Sequence, residues 1–300
     1  KQGTGGFLAG IVSVVMLIAG LLWTIIKGIA NGFRAIAQGI LKLIRLIFPH
    51  IAKMREVAVS RTSDAMARRV AQDEIDVIIL PETFNSGFSM NIKLLAEKMD
   101  GKTVSWMRDT AVKKNTCLIG SLIIKENNKY YNRLVCAFKN GEIMHYDKRH
   151  LFTFGDEDRY FTRGEKRIVI DVNGWKICPL ICYDLRFPIW SRNSENIDLY
   201  IYTANWPEIR MSAWDTLLRA RAIENISYVI GVNRIGEDGT GKKHSGNSAI
   251  IDYKGNYLLS FPKNQKHIGF TNLSKKDLIN FRKKFPALED ADSYLIKKFN

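Results

Sequence analysis

The chain has 300 residues, 46% hydrophobic and 25% charged, which suits one large globular domain with an appendage. Its net charge of +15 invites nucleic acid as a partner. Yet Lys1, Lys27, Arg34, Lys42, Arg45, Lys53 and Arg55 stand against Glu56 alone in the first sixty residues, the remaining excess is mixed with acids as in KKDLINFRKK, and the absence of a nucleic-acid module excludes that partner. Cys117, Cys136, Cys178 and Cys182 show no metal spacing, and Cys178 and Cys182 on one strand stand roughly 13 Å apart, so a reducing compartment without structural zinc or disulfide is expected.

Residues 7–26, FLAGIVSVVMLIAGLLWTII, carry no charge and are long enough for the roughly 30 Å hydrocarbon core of a bilayer. A signal peptide is the competing reading, but its apolar region usually runs about 7 to 15 residues and no small-residue cleavage site stands out, so a transmembrane anchor is expected. Residues 27–53 turn amphipathic: Arg34, Lys42 and Arg45 interrupt Ile29, Phe33, Ile36, Ile40, Leu43 and Ile47, as in a basic helix on an anionic membrane surface. Membrane association through residues 7–48 follows, and positive charge after the span leaves the rest of the chain in the cytoplasm. The chain begins at Lys1 rather than methionine, so a non-native fusion is the alternative account of residues 1–53. Residues 54–300 form the expected catalytic domain.

That domain opens with a short strand at 56–60 and a helix at 62–74 capped by Thr62 or Ser63. Residues 75–80 are continuous and β-branched, as in a strand buried on both faces, and Pro81 ends its ladder so that Glu82 emerges at the tip. A loop at 85–91 and a helix at 104–114 follow, then a strand at 116–124 and a pairing of 130–139 with 142–146 across Asn140-Gly141, which places Lys148 near a strand end. Residues 147–164 have the charge and aromatics of an ordered site loop. Segments 167–172 and 175–181 form a hairpin about Asn173-Gly174, and the second ends at Cys182, turning through 183–186 toward a helix at 189–193. A strand at 199–203, a helix at 214–224, a strand at 228–233 and a hairpin of 248–252 with 257–260 complete an α/β sandwich with mixed sheets.

A cysteine at a strand-to-turn junction presents its sulfur at the sheet's end, with the next backbone N–H groups pointing the same way; a buried structural thiol is the alternative. Glu82, Lys148 and Cys182 at three strand ends supply a base, a cation and a nucleophile. A free thiol has a pKa of about 8.5, so a carboxylate within reach must take its proton during attack and return it to the leaving group. Lys148 and the backbone N–H of Tyr183 would hold the oxyanion. Phe88 and Trp206 either line the pocket or belong to the core, and Arg186 either contacts substrate or pairs with Asp184 to hold the turn. His145, His150 and His244 invite a Cys-His arrangement, but Glu-Lys-Cys explains the segments better, and His150 is expected as a structural hydrogen-bonder.

LPETF with Glu82, YDKRHLF with Lys148 and ICYDLRFP with Cys182 resemble the three signature segments of the nitrilase, or carbon-nitrogen hydrolase, superfamily. ANWPEIRMSAWDTLLRARAIENISYVIGVNRIGEDGTG and FRKKFPALEDADSY resemble its bacterial omega-amidase branch, and the likeness spans about residues 76–294. It implies a four-layer αββα sandwich, commonly paired as a homodimer, that hydrolyses a small non-peptide amide with neither cofactor nor metal. It also implies that Glu157, nine residues after Lys148, orients Lys148 and the attacking water, against the alternative of a solvated loop acid. An omega-amidase acts on 2-oxoglutaramate or 2-oxosuccinamate; an N-carbamoyl or aliphatic amidase and a membrane-anchored non-catalytic homologue are the alternatives. The superfamily normally opens with a strand, a glutamine-bearing loop and a helix, for which only about residues 54–76 remain, so MREVAVS is expected as a substitute first strand.

Overall fold

Short β-branched runs separated by Asn-Gly and Asn-Asn turns pair into two mixed sheets in a computed structural model that describes residues 75–296. The first sheet holds β1 (Val77–Ile79), β2 (Cys117–Glu126), β3 (Lys129–Ala137) and β4 (Ile143–Asp147) in that order, with β1 parallel to β2 and the rest antiparallel. Asn127 and Asn128 join β2 to β3 with φ of 48° and 59°, the left-handed pair that a two-residue hairpin requires. In the second sheet β5 (Ile170–Val172) and β6 (Trp175–Ile181) form the expected hairpin, turning on Asn173 and Gly174. β6, β7 (Leu199–Ala204) and β8 (Tyr228–Asn233) then run parallel. A separate ribbon of β9 (Ile235–Glu237) and β10 (Lys243–Ser245) precedes β11 (Ala249–Ile251) and β12 (Tyr257–Ser260), which complete the six-stranded sheet antiparallel to β8.

The two sheets meet face to face. Ile119, Leu134, Cys136 and Tyr146 from the first share one core with Ile177, Leu180, Tyr200 and Tyr202 from the second. Period-two alternation sends Leu118, Leu122, Ile124 and Val135 to the other face of the first sheet. There they meet α2 (Lys102–Lys113), with buried Val104, Trp106, Met107 and Ala111; the four-residue α1 (Ile92–Leu95) precedes it. The four-residue α3 (Glu157–Tyr160) lies in the loop after β4. α4 (Met211–Asn225) covers the second sheet with Trp214, Leu218 and Ala222, and α5 (Lys275–Lys284) adds Leu278 to the same core. The order helix, sheet, sheet, helix is the expected sandwich.

The chain departs from expectation in several places, among them the short helices α1 and α3. Residues 189–193 form turns instead of a helix, and a 3-10 turn at Cys182–Arg186 stands before them. The Arg167 guanidinium takes the carbonyls of Trp190 and Arg192, both at 2.8 Å, which removes those acceptors from any helical ladder. The β9–β10 ribbon was not expected, and α5 was read only as mixed charge, although Ser274 caps it by accepting the Asp277 N–H at 3.2 Å. The expected span at 7–26, the basic stretch at 27–53, the strand at 56–60 and the helix at 62–74 all lie outside the described residues. Among the described residues no helix is long and apolar enough to cross a membrane.

Gly231 in β8 lets α4 approach the sheet: a Cβ there would stand 2.5 Å from Leu218 Cδ1 and 2.8 Å from Trp214 Cζ2. Gly231→Val is expected to destabilise the domain by about 1–3 kcal/mol through overpacking, seen as a lower urea midpoint at unchanged slope. An unaltered midpoint would mean that α4 can yield at this contact.

Candidate active site

Glu82 follows β1 and Pro81 and is buried. Thr83, at a φ of 42°, turns the chain there and donates its N–H to Ser121 Oγ at 2.7 Å. The Asn205 side chain fixes the same turn, donating to the Glu82 carbonyl at 2.8 Å and to Thr83 Oγ1 at 3.1 Å. The Glu82 carboxylate is surrounded by donors: Oε1 accepts from Lys148 Nζ at 2.9 Å and Asn132 Nδ2 at 2.8 Å, and Oε2 from the Asn205 N–H at 2.8 Å.

Lys148, one residue past β4, is tied at both backbone groups, its N–H to the Asn132 carbonyl at 3.0 Å and its carbonyl to the Gly164 N–H at 2.9 Å. Its ammonium also meets Glu157 at 2.9 Å and 3.1 Å. Glu157, the first residue of α3, further accepts from Phe152 N–H at 2.6 Å and Asn132 Nδ2 at 3.0 Å. All three charged groups are at most 1% exposed, and Asn132 bridges the two carboxylates. The next residue, Arg133, points to the opposite face, where its guanidinium forks onto Asp147 at 2.6 Å and 2.8 Å and clamps β3 to β4 just before Lys148.

Cys182 is partly exposed at the end of β6 and adopts a φ of 44°, a left-handed conformation that strains a non-glycine residue by about 1–3 kcal/mol. The Asn205 N–H serves its sulfur as well as Glu82, and the charges of Glu82, Lys148 and Glu157 all act on it. Asp184, wholly buried, holds the turn. Its Oδ2 accepts from Ile181 N–H at 3.0 Å and Tyr146 O–H at 2.8 Å, and its Oδ1 from the backbone N–H of His150 at 3.0 Å, with His150 Nδ1 at 2.8 Å. Asp184 thus joins the cysteine turn to the loop that bears Lys148.

Two expectations are corrected here. Asp184 is engaged by Tyr146, His150 and Ile181 instead of Arg186, whose guanidinium lies 4.9 Å from the Trp206 ring centroid. Trp206 belongs to the core: it is 2% exposed, donates its indole N–H to the Arg210 carbonyl at 2.8 Å and packs on Trp214. Phe88 does face the charged cluster, with its ring 5.6 Å from Lys148 Nζ. Tyr183 packs edge-on to Phe152 at 5.1 Å. His150 stacks on Phe187 at 3.8 Å, a structural hydrogen-bonder as expected. Asn132, Asn205 and Asp184 were missed or undervalued. For Asn132 the available signal was a polar side chain inside a strand otherwise fit for burial, YYNRLVCA.

Two buried carboxylates share one ammonium, and the environment drives their pKa values apart. Burial opposes ionisation of Glu82, but the Lys148 charge with the Lys148, Asn205 and Asn132 hydrogen bonds outweighs it and holds Glu82 below the usual carboxylate range. For Glu157, burial and the nearby Glu82 charge outweigh Lys148 and raise the pKa. Burial would lower Lys148, yet Glu157 and Glu82 together push it well above its ordinary value, so it stays an ammonium. Burial and then Glu82 push the Cys182 thiol well up, so the resting site holds S–H beside a carboxylate. Among the described residues no group of His, Cys, Asp or Glu side chains is placed to hold a metal ion.

The structure thus brings a thiol on a strained strand end together with a buried ammonium and two carboxylates in a two-sheet sandwich. The model of the carbon-nitrogen hydrolase family matches residues 35–283, and the chain belongs to that family. The match starts within the stretch read as a basic amphipathic helix. The chain is 42% identical to omega-amidase YafV of Escherichia coli K12 over 219 residues, 73% of this chain and 85% of that protein. It is 32% identical to the 2-oxoglutaramate amidase of Bacillus subtilis, over 72% of this chain and 84% of that one. The crystal structure of XC1258 from Xanthomonas campestris, a CN-hydrolase superfamily protein, superposes with a TM-score of 0.74 at 40% identity, covering 78% of this chain and 92% of that one.

Because the folded-state pKa of Glu157 is raised, the folded chain loses stability as pH climbs from the unfolded value through the folded one. Glu157→Gln removes that loss. The variant is expected to melt at or above the parent at about pH 8, with the advantage shrinking toward about pH 4, where the parent's carboxyl is already protonated. An equal fall in melting temperature at both pH values would mean that the ionised Lys148–Glu157 pair outweighs burial.

Proposed function

We propose that the protein is an omega-amidase, converting 2-oxoglutaramate or 2-oxosuccinamate to the 2-oxo dicarboxylic acid and ammonia through a thioester on Cys182. The observation that carries this reading is the 42% identity to omega-amidase YafV over 85% of that protein. Its chemistry is supported by Lys148 held between Glu82 and Glu157 in the cluster that acts on the thiol. Sulfur attacks the amide carbon while its proton passes to Glu82, so no free thiolate accumulates despite the raised thiol pKa. The carbonyl oxygen becomes an oxyanion held by Lys148 and the Tyr183 N–H, with the ammonium fixed by Glu82 and by both oxygens of Glu157. Collapse breaks the carbon-nitrogen bond, and Glu82 gives its proton to the departing ammonia. Water then attacks the thioester, losing a proton to Glu82, and the sulfur leaves and recovers its proton. Glu157 orients Lys148 and the attacking water in this scheme, and Phe88 lines the pocket while Arg186 contacts substrate.

A homodimer and a membrane tether through residues 7–48 belong to the same proposal, supported by the resemblance and by the uncharged N-terminal run. Cys182→Ala is expected to lower ammonia release from 2-oxoglutaramate by about a thousandfold or more with little change in melting temperature. Denatured quenching of the parent during turnover should yield an acyl adduct on Cys182 by mass spectrometry. A Cys182→Ala protein that releases ammonia at the parental rate rejects the nucleophile, and a parent active on N-carbamoyl amino acids but not on 2-oxoglutaramate rejects the substrate.

A further inference from the structure

β6, β7 and β8 end within one residue of each other, with Ile181 opposite Thr203 and Ala204 opposite Asn233, so Cys182, Asn205 and Arg234 leave the sheet along one edge, Cys182 one register position before the other two. At about 4.8 Å per strand, the backbones of Cys182 and Arg234 stand about 10 Å apart. Arg234 is partly buried where β8 gives way to the β9–β10 ribbon. Its guanidinium donates to the Glu237 carbonyl at 3.1 Å and to the Ile235 carbonyl at 3.5 Å, both neutral acceptors. Asp238 attracts it from a distance, and none of the described carboxylates forms an ion pair with it. The ribbon carbonyls take Nε and Nη2. Nη1 stands on the other side, where a Cβ on Gly87 would lie 3.6 Å from it. Gly87 precedes Phe88, whose ring lies 5.6 Å from Lys148 Nζ.

A partly desolvated cation with only neutral partners is unfavourable until an anion joins it. Two other arginines near the site are differently placed. Arg186 rests on Trp206 at 4.9 Å, and Arg210 lies over Phe152 at 5.5 Å and Phe154 at 5.1 Å, so both already have aromatic faces as partners.

We propose that Arg234 recognises the free carboxylate of the substrate, at the end of the molecule remote from the scissile amide, and so determines specificity for acids over neutral amides. This rests on the omega-amidase reading above. An extended five-carbon chain with bonds of about 1.5 Å carries roughly 5 Å from amide carbon to carboxylate carbon. A charge-assisted hydrogen bond adds about 2.8 Å, so a donor that recognises this carboxylate stands roughly 8 Å from the amide carbon.

The test compares kcat/KM for 2-oxoglutaramate with that for its carboxyl methyl ester, using the full chain. The parent is expected to prefer the acid. Arg234→Gln, which can keep a bond to the Glu237 carbonyl while removing the charge, is expected to cut that preference by about 10- to 100-fold, mainly through KM for the acid. Arg234→Lys retains the charge without the planar fork and should restore part of the preference; it also serves if the Gln variant does not fold. Preference intact in Arg234→Gln, loss equal for acid and ester, or selective loss in Arg210→Met instead would each overturn the assignment. A parent indifferent to the carboxylate would overturn the omega-amidase reading and this assignment with it; that result is read on the unaltered chain, so the two failures are distinct.

Discussion

The buried ammonium of Lys148 is the interaction on which the site depends. Lys148 and the two carboxylates around it would each lose several kcal/mol on leaving water, and only their mutual attraction and their hydrogen bonds offset this. Those bonds come from distant parts of the chain: Asn132 from β3, the Asn205 N–H from the end of β7, and the Phe152 N–H from the loop before α3. One ammonium cannot neutralise two carboxylates. The imbalance is what separates Glu82 from Glu157 in acidity, lowering one and raising the other beside a thiol whose own pKa is raised.

The strained turn at Cys182 is the second constraint, and Asp184 connects it to the first. Its two oxygens reach the backbone of β6 on one side and Tyr146 and His150 on the other, so the thiol and the lysine loop share a single buried anchor. Trp190 and the backbone of Arg149 both donate to the Tyr146 hydroxyl, at 3.0 Å and 3.1 Å, which extends the network behind the reacting groups. A backbone held in the left-handed region persists only where its surroundings over-determine it, and here they do.

Parallel strands explain why Cys182, Asn205 and Arg234 share one edge of the second sheet. β6, β7 and β8 carry their C-terminal ends to the same side, and the residues just beyond them approach one another without further design. Glu82 and Lys148 enter from the first sheet, beyond β1 and β4. The charged cluster and the thiol are therefore assembled from strand ends of both sheets, held by the packed interface between them.

Much of this was legible along the chain. Apolar runs, Asn-Gly turns and the breaks after Leu80, Tyr146 and Ile181 were enough to define most of the strands and to put Glu82, Lys148 and Cys182 beyond their ends, because these signals are local. α5 was hidden because one buried leucine among charges gives almost no periodicity, and the helix expected at 189–193 failed because Arg167, distant in sequence, claims its carbonyls. The partners of the charged groups were equally out of reach: Asn132 and Asn205 look like ordinary polar residues until folding sets them 50 and 123 positions from Glu82 in sequence yet within hydrogen-bond distance. Residue type and local pattern decide which chemistry a chain can offer. Only the tertiary fold decides which groups lose water together, and that shared desolvation sets their acidity and their use.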